Sequence, residues 1–219
     1  SYMPVFLPGV AAASVASSTC GAAMYKFSHQ QGHIRAAVYS AGFKTEDNKP
    51  FLAFHLSGGT SELLLIDGDD IKIVGGSKDI PAGQLIDRIG VHLGLDFPCG
   101  RYLESLADEA DGAVKVKTCT EGTFFNLSGI ETKLKCQTNA PAPEIAYAAL
   151  EAVAESVSKV IDNAKKQFGI DDVIMMGGVS SNKQLRQKLC TRAYFASPDM
   201  SRDNAVGTAL LARDMYNRI

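Results

Sequence analysis

Three pairs of adjacent glycines follow apolar residues in this chain of 219, and two of them, Gly58-Gly59 and Gly177-Gly178, close compact strand-like runs. The first is Phe51-Leu52-Ala53-Phe54-His55-Leu56, followed by Ser57-Gly58-Gly59-Thr60. The second is Val173-Ile174-Met175-Met176, followed by Gly177-Gly178-Val179-Ser180-Ser181-Asn182. Compact apolar runs bounded by glycine read as buried strands. A strand that ends in Gly-Gly exposes backbone N–H groups and lets a phosphate or ribose approach the main chain closely. Either junction by itself is also an ordinary turn; two in one chain favour a nucleotide cleft. Neither fits GxGxxG or GxxxxGK[ST], which removes the dinucleotide-binding and P-loop readings.

The rest of the chain alternates helix and strand signals, which argues for an α/β fold. Helices are expected over residues 10–27, 29–40, 84–93, 101–111, 144–168, 182–190 and 205–217. The Pro141-Ala142-Pro143 run starts the longest of them and Gly169 stops it. Strands are expected at 51–56, 62–66, 71–74, 173–176 and 193–196, with Asp67-Gly68-Asp69-Asp70 as a hairpin turn. Residues 114–140, rich in Thr and Lys, read as a loop. With two strand-to-glycine junctions in such an alternation, the class that remains is the actin-like ATPase, in which glycine turns from two subdomains clasp a nucleotide.

Composition narrows the function classes. The chain is 46% hydrophobic and 21% charged, with a formal net charge of -2, so no global positive field advertises nucleic-acid binding. The 5 cysteines are odd in number, scattered and without a CxxC, which fits reduced thiols in a cytoplasmic protein. The apolar stretch 5–24 is broken by Pro8, Gly9, Ser14, Ser17, Ser18 and Thr19 and has no basic segment before it. It reads as a helix buried in the protein and not as a membrane span or signal peptide.

Histidine is scarce, with 4 in the chain, yet two fall at i and i+4 in Ser28-His29-Gln30-Gln31-Gly32-His33. On a helix they share a face, about 6 Å apart at Cβ, as two ligands of one metal ion require. A solvated helix end with two polar histidines is the alternative. Gln30 stands where the zincin motif needs Glu, so zinc-protease chemistry is not supported.

These segments resemble the TsaD/Gcp family, once called O-sialoglycoprotein endopeptidases, which make threonylcarbamoyladenosine in tRNA. His29-Gln30-Gln31-Gly32-His33 resembles its HxxGH motif, and Leu56-Ser57-Gly58-Gly59-Thr60 its VSGG(H/N)T turn. Residues 82–88 and 93–100 resemble AGEAFDK and LGLxYPGG, and Phe125-Asn126-Leu127-Ser128-Gly129-Ile130 resembles FSFSGLK. Gly177-Gly178-Val179-Ser180-Ser181-Asn182 with Leu185-Arg186 resembles GGVAANxxLR, and Arg202-Asp203-Asn204-Ala205 the closing TDNAAM. The resemblance implies the actin-like (ASKHA, ribonuclease H-like) α/β fold. Residues 1–80 would be the remainder of the first lobe with the His pair, and 81–219 a helical insert and the second lobe.

It further implies that His29, His33 and Asp203 hold a divalent metal, iron or zinc. Ser57, Gly58, Gly59, Thr60, Asp87, Gly100, Gly177, Gly178 and Asn182 would meet ATP or threonylcarbamoyl-AMP, with Asp87 the candidate catalytic residue. Asp203, by itself, would read as the cap of the last helix. His55 is either an additional ligand or a packed, hydrogen-bonded histidine, and His92 is structural. The implied partners are tRNA, TsaB-like or other modification-complex subunits, or a second copy of the chain, with no membrane.

Several positions depart from the family pattern. Gln84 replaces its glutamate, Arg88 its lysine, and Glu131 reverses the charge of another lysine near an expected anion. Only Phe6-Leu7-Pro8-Gly9 resembles the turn before HxxGH, so a fragment lacking the front of the first lobe, or a shortened paralogue, is expected. Three functions follow: threonylcarbamoyl transfer from its adenylate to N6 of adenosine in tRNA, a related carbamoyl transfer, or a catalytically inactive actin-like partner subunit. Genuine peptidase activity is not expected.

Overall fold

The computed structural model describes residues 3–44, 49–112, 114–201 and 205–217. Its helices are α1 (Met3–Cys20), α2 (His29–Ser40), α3 (Ala82–His92), α4 (Gly100–Ala107), α5 (Ser128–Lys135), α6 (Ala142–Phe168), α7 (Lys183–Leu189) and α8 (Val206–Tyr216). The strands are β1 (Phe51–Leu56), β2 (Ser61–Asp67), β3 (Asp70–Ser77), β4 (Cys119–Glu121), β5 (Phe124–Asn126), β6 (Val173–Met176) and β7 (Tyr194–Phe195). They form one sheet in the order β4-β5-β3-β2-β1-β6-β7.

β1, β2 and β3 run antiparallel through tight hairpins, while β6 pairs parallel to β1 and β7 parallel to β6. The parallel pairs are reached through α6 and α7, as crossovers require. Strands on both sides of the 80/81 division therefore hydrogen-bond in one sheet.

Alternation along β1 sorts its side chains. Leu52, Phe54 and Leu56 enter the larger core, under α3, α4, α5, α6 and α7; Ala53 enters the smaller one, under α2. α6 is the spine of the larger core. Pro143 occupies its first turn, and Gly169, in the left-handed region at φ 67, ends it with its N–H on the Lys165 carbonyl. Ala149, Val153, Val157, Val160 and Ile161 on it are buried.

The helix expected over 10–27 spans Met3–Cys20 instead, and two further expectations fail. The helix expected to be buried is exposed: along α1 from residue 7 onward only Val10 and Ser17 are even half-buried. Its small side chains bury little area. Ser14 and Thr19 donate to the helix's own carbonyls, of Val10 (2.8 Å) and Val15 (2.8 Å), and Ser17 to the carbonyl of Ala22 just beyond it (2.6 Å), so apolar composition does not force burial here. No helix among the described residues is long and apolar enough to cross a membrane.

The second failure is the loop expected over 114–140, which holds β4, β5 and α5. Strands of three residues are too short to show a period. β5 exists because the C-terminal end of β3, away from the hairpin turn, offers it a parallel partner, Gly76 opposite Phe124 and Ser77 opposite Phe125.

Candidate functional site

α2 begins where its sequence dictates. The Ser28 hydroxyl accepts from the Gln31 N–H (3.1 Å), and the Gln31 side chain accepts from the Ser28 N–H (2.8 Å). This capping box fixes His29 as the first helical residue and puts His33 one turn on. The two Nε2 atoms lie 3.0 Å apart, His33 buried and His29 exposed. The His33 ring also lies 5.5 Å, centre to centre, from the ring of His55, which leaves β1 on the α2 face of the sheet.

This contact is a hydrogen bond between the two imidazoles; two nitrogens about 2.1 Å from one metal stand about 3.0 Å apart at a right angle and about 3.4 Å apart at the tetrahedral angle, so the pair needs little movement to share an ion. Asp203, the expected third ligand, lies outside the described residues. Among the described residues, no group of three or more His, Cys, Asp or Glu side chains has metal-binding geometry.

Parallel pairing brings the two glycine junctions together. His55 stands opposite Met176, so β1 and β6 end level, and Gly177 follows directly beside Leu56. A Cβ on Gly177 would lie 2.2 Å from the Leu56 carbonyl oxygen and 2.8 Å from His55 Cδ2. With φ at 90, only glycine fits there. Ser57 closes the first junction: its Oγ accepts from the N–H of Gly59 (3.3 Å) and Thr60 (3.0 Å), and its own N–H donates to the Thr60 carbonyl (2.8 Å). The turn reading and the binding reading therefore coexist, and among the described residues the exposed Gly58 N–H donates to nothing.

The remaining candidates follow one another round the same end of the sheet. The Gly83 N–H donates to the Ser57 carbonyl (3.2 Å) and the Ala82 N–H to Ser61 Oγ (2.8 Å), docking the start of α3 on the turn. One turn along α3, Asp87 Oδ1 accepts from the Cys99 N–H (2.9 Å), which sets the start of α4 at Gly100. On α4, Glu104 Oε1 accepts from Asn182 Nδ2 (3.0 Å) and from the Lys183 N–H (2.5 Å). Asn182 in turn caps α7, its Oδ1 accepting from the Leu185 N–H (3.0 Å). The 3-10 turn Gly178–Ser181 leads back to Gly177 and Leu56, closing the circuit.

Sequence reasoning missed Glu104 and Asp79. Glu104 lies four residues after Gly100, and that one-turn spacing was its only signal. Asp79 accepts from the Leu127 N–H (2.9 Å), from the N–H (2.9 Å) and hydroxyl (2.6 Å) of Ser128, and from Ile80 N–H (2.7 Å). Burial pushes its carboxyl up, but these donors outweigh it and hold the pKa at about 2. It caps α5 from 49 residues away.

The reversed charge at 131 is paired within the protein. Glu131 pairs with Arg88 (3.1 Å) and Lys135 (2.6 Å). Burial pushes its carboxyl up, and the hydrogen bonds from Lys135 and Arg88 bring it below the usual range. Arg186 of the second glycine motif is structural: it donates to the carbonyls of Ser180 (3.1 Å) and Ala196 (2.6 Å) and covers the Phe195 ring.

Antiparallel β1–β3 followed by parallel β6 and β7, with glycine turns meeting at one end, defines an actin-like ATPase fold. Solved structures agree. Full-length HypF in its phosphate- and nucleotide-bound form superposes at TM-score 0.68 and 12% identity, over 87% of this chain and 36% of that one. The activator of 2-hydroxyisocaproyl-CoA dehydratase from Clostridium difficile superposes at 0.53 and 17% identity, over 88% and 68%.

The chain belongs to the TsaD family, described as tRNA N6-adenosine threonylcarbamoyltransferase, which matches residues 5–210. Relatives bearing that description include those of Sulfurihydrogenibium sp. (30% identical, 97% of this chain, 67% of the relative) and Thermus thermophilus (30%, 89% and 61%). The Listeria welshimeri protein is 32% identical over 77% of this chain and 52% of its own length. The chain thus spans about half to two thirds of the curated relatives it matches.

Proposed function

We propose that this chain binds a divalent metal through His29 and His33, with Asp203 as third ligand, beside a nucleotide held by the circuit from Ser57 to Asn182. The reaction that reading supports is transfer of a threonylcarbamoyl group from its adenylate to N6 of adenosine in tRNA. The observation that carries it is the 3.0 Å separation of the two histidine Nε2 atoms, next to His55 and the joined glycine junctions.

The N2O donor set suits iron or zinc. A bound metal would supply Lewis-acid polarisation of an oxygen on the activated group. The protein's own part is orientation. The Gly58 N–H is available to an anionic oxygen, and Asp87 Oδ2, which accepts nothing among the described residues, is available to ribose hydroxyls. Gly100 presents backbone without a side chain to the nucleoside, and Asn182 is held in place by Glu104. In the transfer, the N6 amine forms a C–N bond to the carbamoyl carbon as its C–O bond to the phosphate breaks. AMP leaves, and N6 gives up a proton.

A catalytically inactive partner subunit is the second reading, favoured by Gln84 and by the Arg88–Glu131 pair, which keeps both side chains on each other. Elemental analysis of the purified chain with calorimetric titration of ATP and ADP separates the two. Metal together with nucleotide binding supports the transferase, and nucleotide-free, metal-free protein supports the subunit.

A further inference from the structure

The loop that precedes α4 is pinned tightly and yet holds its largest side chain in water. The Leu95 N–H donates to the Gly90 carbonyl (2.9 Å), the Cys99 N–H to Asp87 (2.9 Å), and the Cys99 side chain packs on Gly90, where a Cβ would come within 2.3 Å. At the outer side of this anchored loop Phe97 is 74% exposed, and Tyr102, in the first turn of α4, is 54% exposed. Between them Arg101 is exposed and makes no ion pair among the described residues. Single exposed apolar side chains are ordinary on a protein surface; what sets these two apart is an exposed cation between them in sequence, on an anchored segment that leads into Gly100.

We infer that Phe97 and Tyr102, with Arg101 between them, are an RNA-contacting edge on which an unpaired nucleobase of the substrate stacks beside the nucleoside site. The inference rests on the tRNA reading above. The loop that would present Phe97 is the one Asp87 holds, and Gly100, the expected nucleoside contact, follows it as the first residue of α4. Aromatic faces interleaved with a cation are the chemistry that binds single-stranded nucleic acid: rings take bases and the guanidinium takes a phosphate. Asp96, exposed next to Phe97, disfavours phosphate there, so Phe97 meets bases and Arg101 carries the backbone contact.

The chain has no tryptophan, so Phe97→Trp installs a single reporter that keeps the stacking face. Titrated with an RNA stem-loop bearing an unpaired adenosine, this variant is expected to show saturable quenching, and none with a blunt duplex of equal length. Phe97→Ala is expected to weaken stem-loop binding by roughly ten-fold with an unchanged salt slope. Arg101→Ala is expected to lower the slope by about one. ATP binding and metal content, measured on the same preparations, report on the proposed function independently. Absence of stem-loop quenching, equal quenching by the duplex, or wild-type affinity in Phe97→Ala would each overturn the inference even where metal and nucleotide bind.

Discussion

Gly207 on α8 lies so close to Gly32 on α2 that a Cβ built on it would stand 1.8 Å from the Gly32 carbonyl oxygen. From the other side, a Cβ on Gly32 would meet Thr208 Oγ1 at 3.0 Å. The strict requirement is therefore at Gly207, whose missing side chain lets α8 approach the backbone of the helix that carries both histidines; at Gly32 a side chain would displace only the tip of Thr208.

Gly207→Ala is therefore expected to push α2 and α8 apart. The cost is about 2–3 kcal/mol, the upper part of the range for overpacking, because the obstructing atom is backbone. Urea unfolding of the variant measures it. Gly58→Ala, with open space around its Cβ, is the control and should cost less than about 1 kcal/mol.

Acid should loosen α5 before it unfolds the rest. Asp79 has a folded pKa of about 2 against an ordinary 3.8. Its contribution is fully present above the unfolded value and is lost as the pH falls through 3.8 toward 2. The side chain is exposed, so screening limits that contribution to about 1 kcal/mol. Asp79→Ala should remove it at pH 7, and the stability difference between variant and parent should shrink toward pH 2. A difference that is constant between pH 6 and 2 contradicts the cap.

Arg88 and Glu131 stand where the family pattern has two lysines, and here they bond each other. Glu131→Lys would set three cations together with Lys135 and is expected to cost about 1–2 kcal/mol. Changing Arg88 to Gln in that background should recover part of the loss. Thermal melts of the two single variants and the double variant give the coupling, and strict additivity would refute it.

Much of this arrangement was legible in the chain. The hairpin from β1 to β3 and the boundaries of α2 and β6 follow from caps, alternation and glycine. The His pair, both glycine junctions, Asp87, Gly100 and Asn182 were all named from motifs, and the structure brings those seen here to one end of the sheet. Tertiary facts were not legible. Nothing local in Asp79 says it caps a helix 49 residues away, and nothing in Glu131 announces Arg88. The exposure of α1 was misread because its composition is apolar while its side chains are small, and hydropathy does not reveal whether a partner is present.

The two imidazoles whose Nε2 atoms lie 3.0 Å apart are the centre of the proposed site. The most direct measurement is metal content of the purified chain beside His29→Ala and His33→Ala, each checked for native circular dichroism. His29 is exposed, so its variant should fold unaltered even if loss of buried His33 perturbs the core. The predicted result is stoichiometric iron or zinc in the parent and its loss from both variants. Unchanged metal content in folded His29→Ala would contradict the assignment.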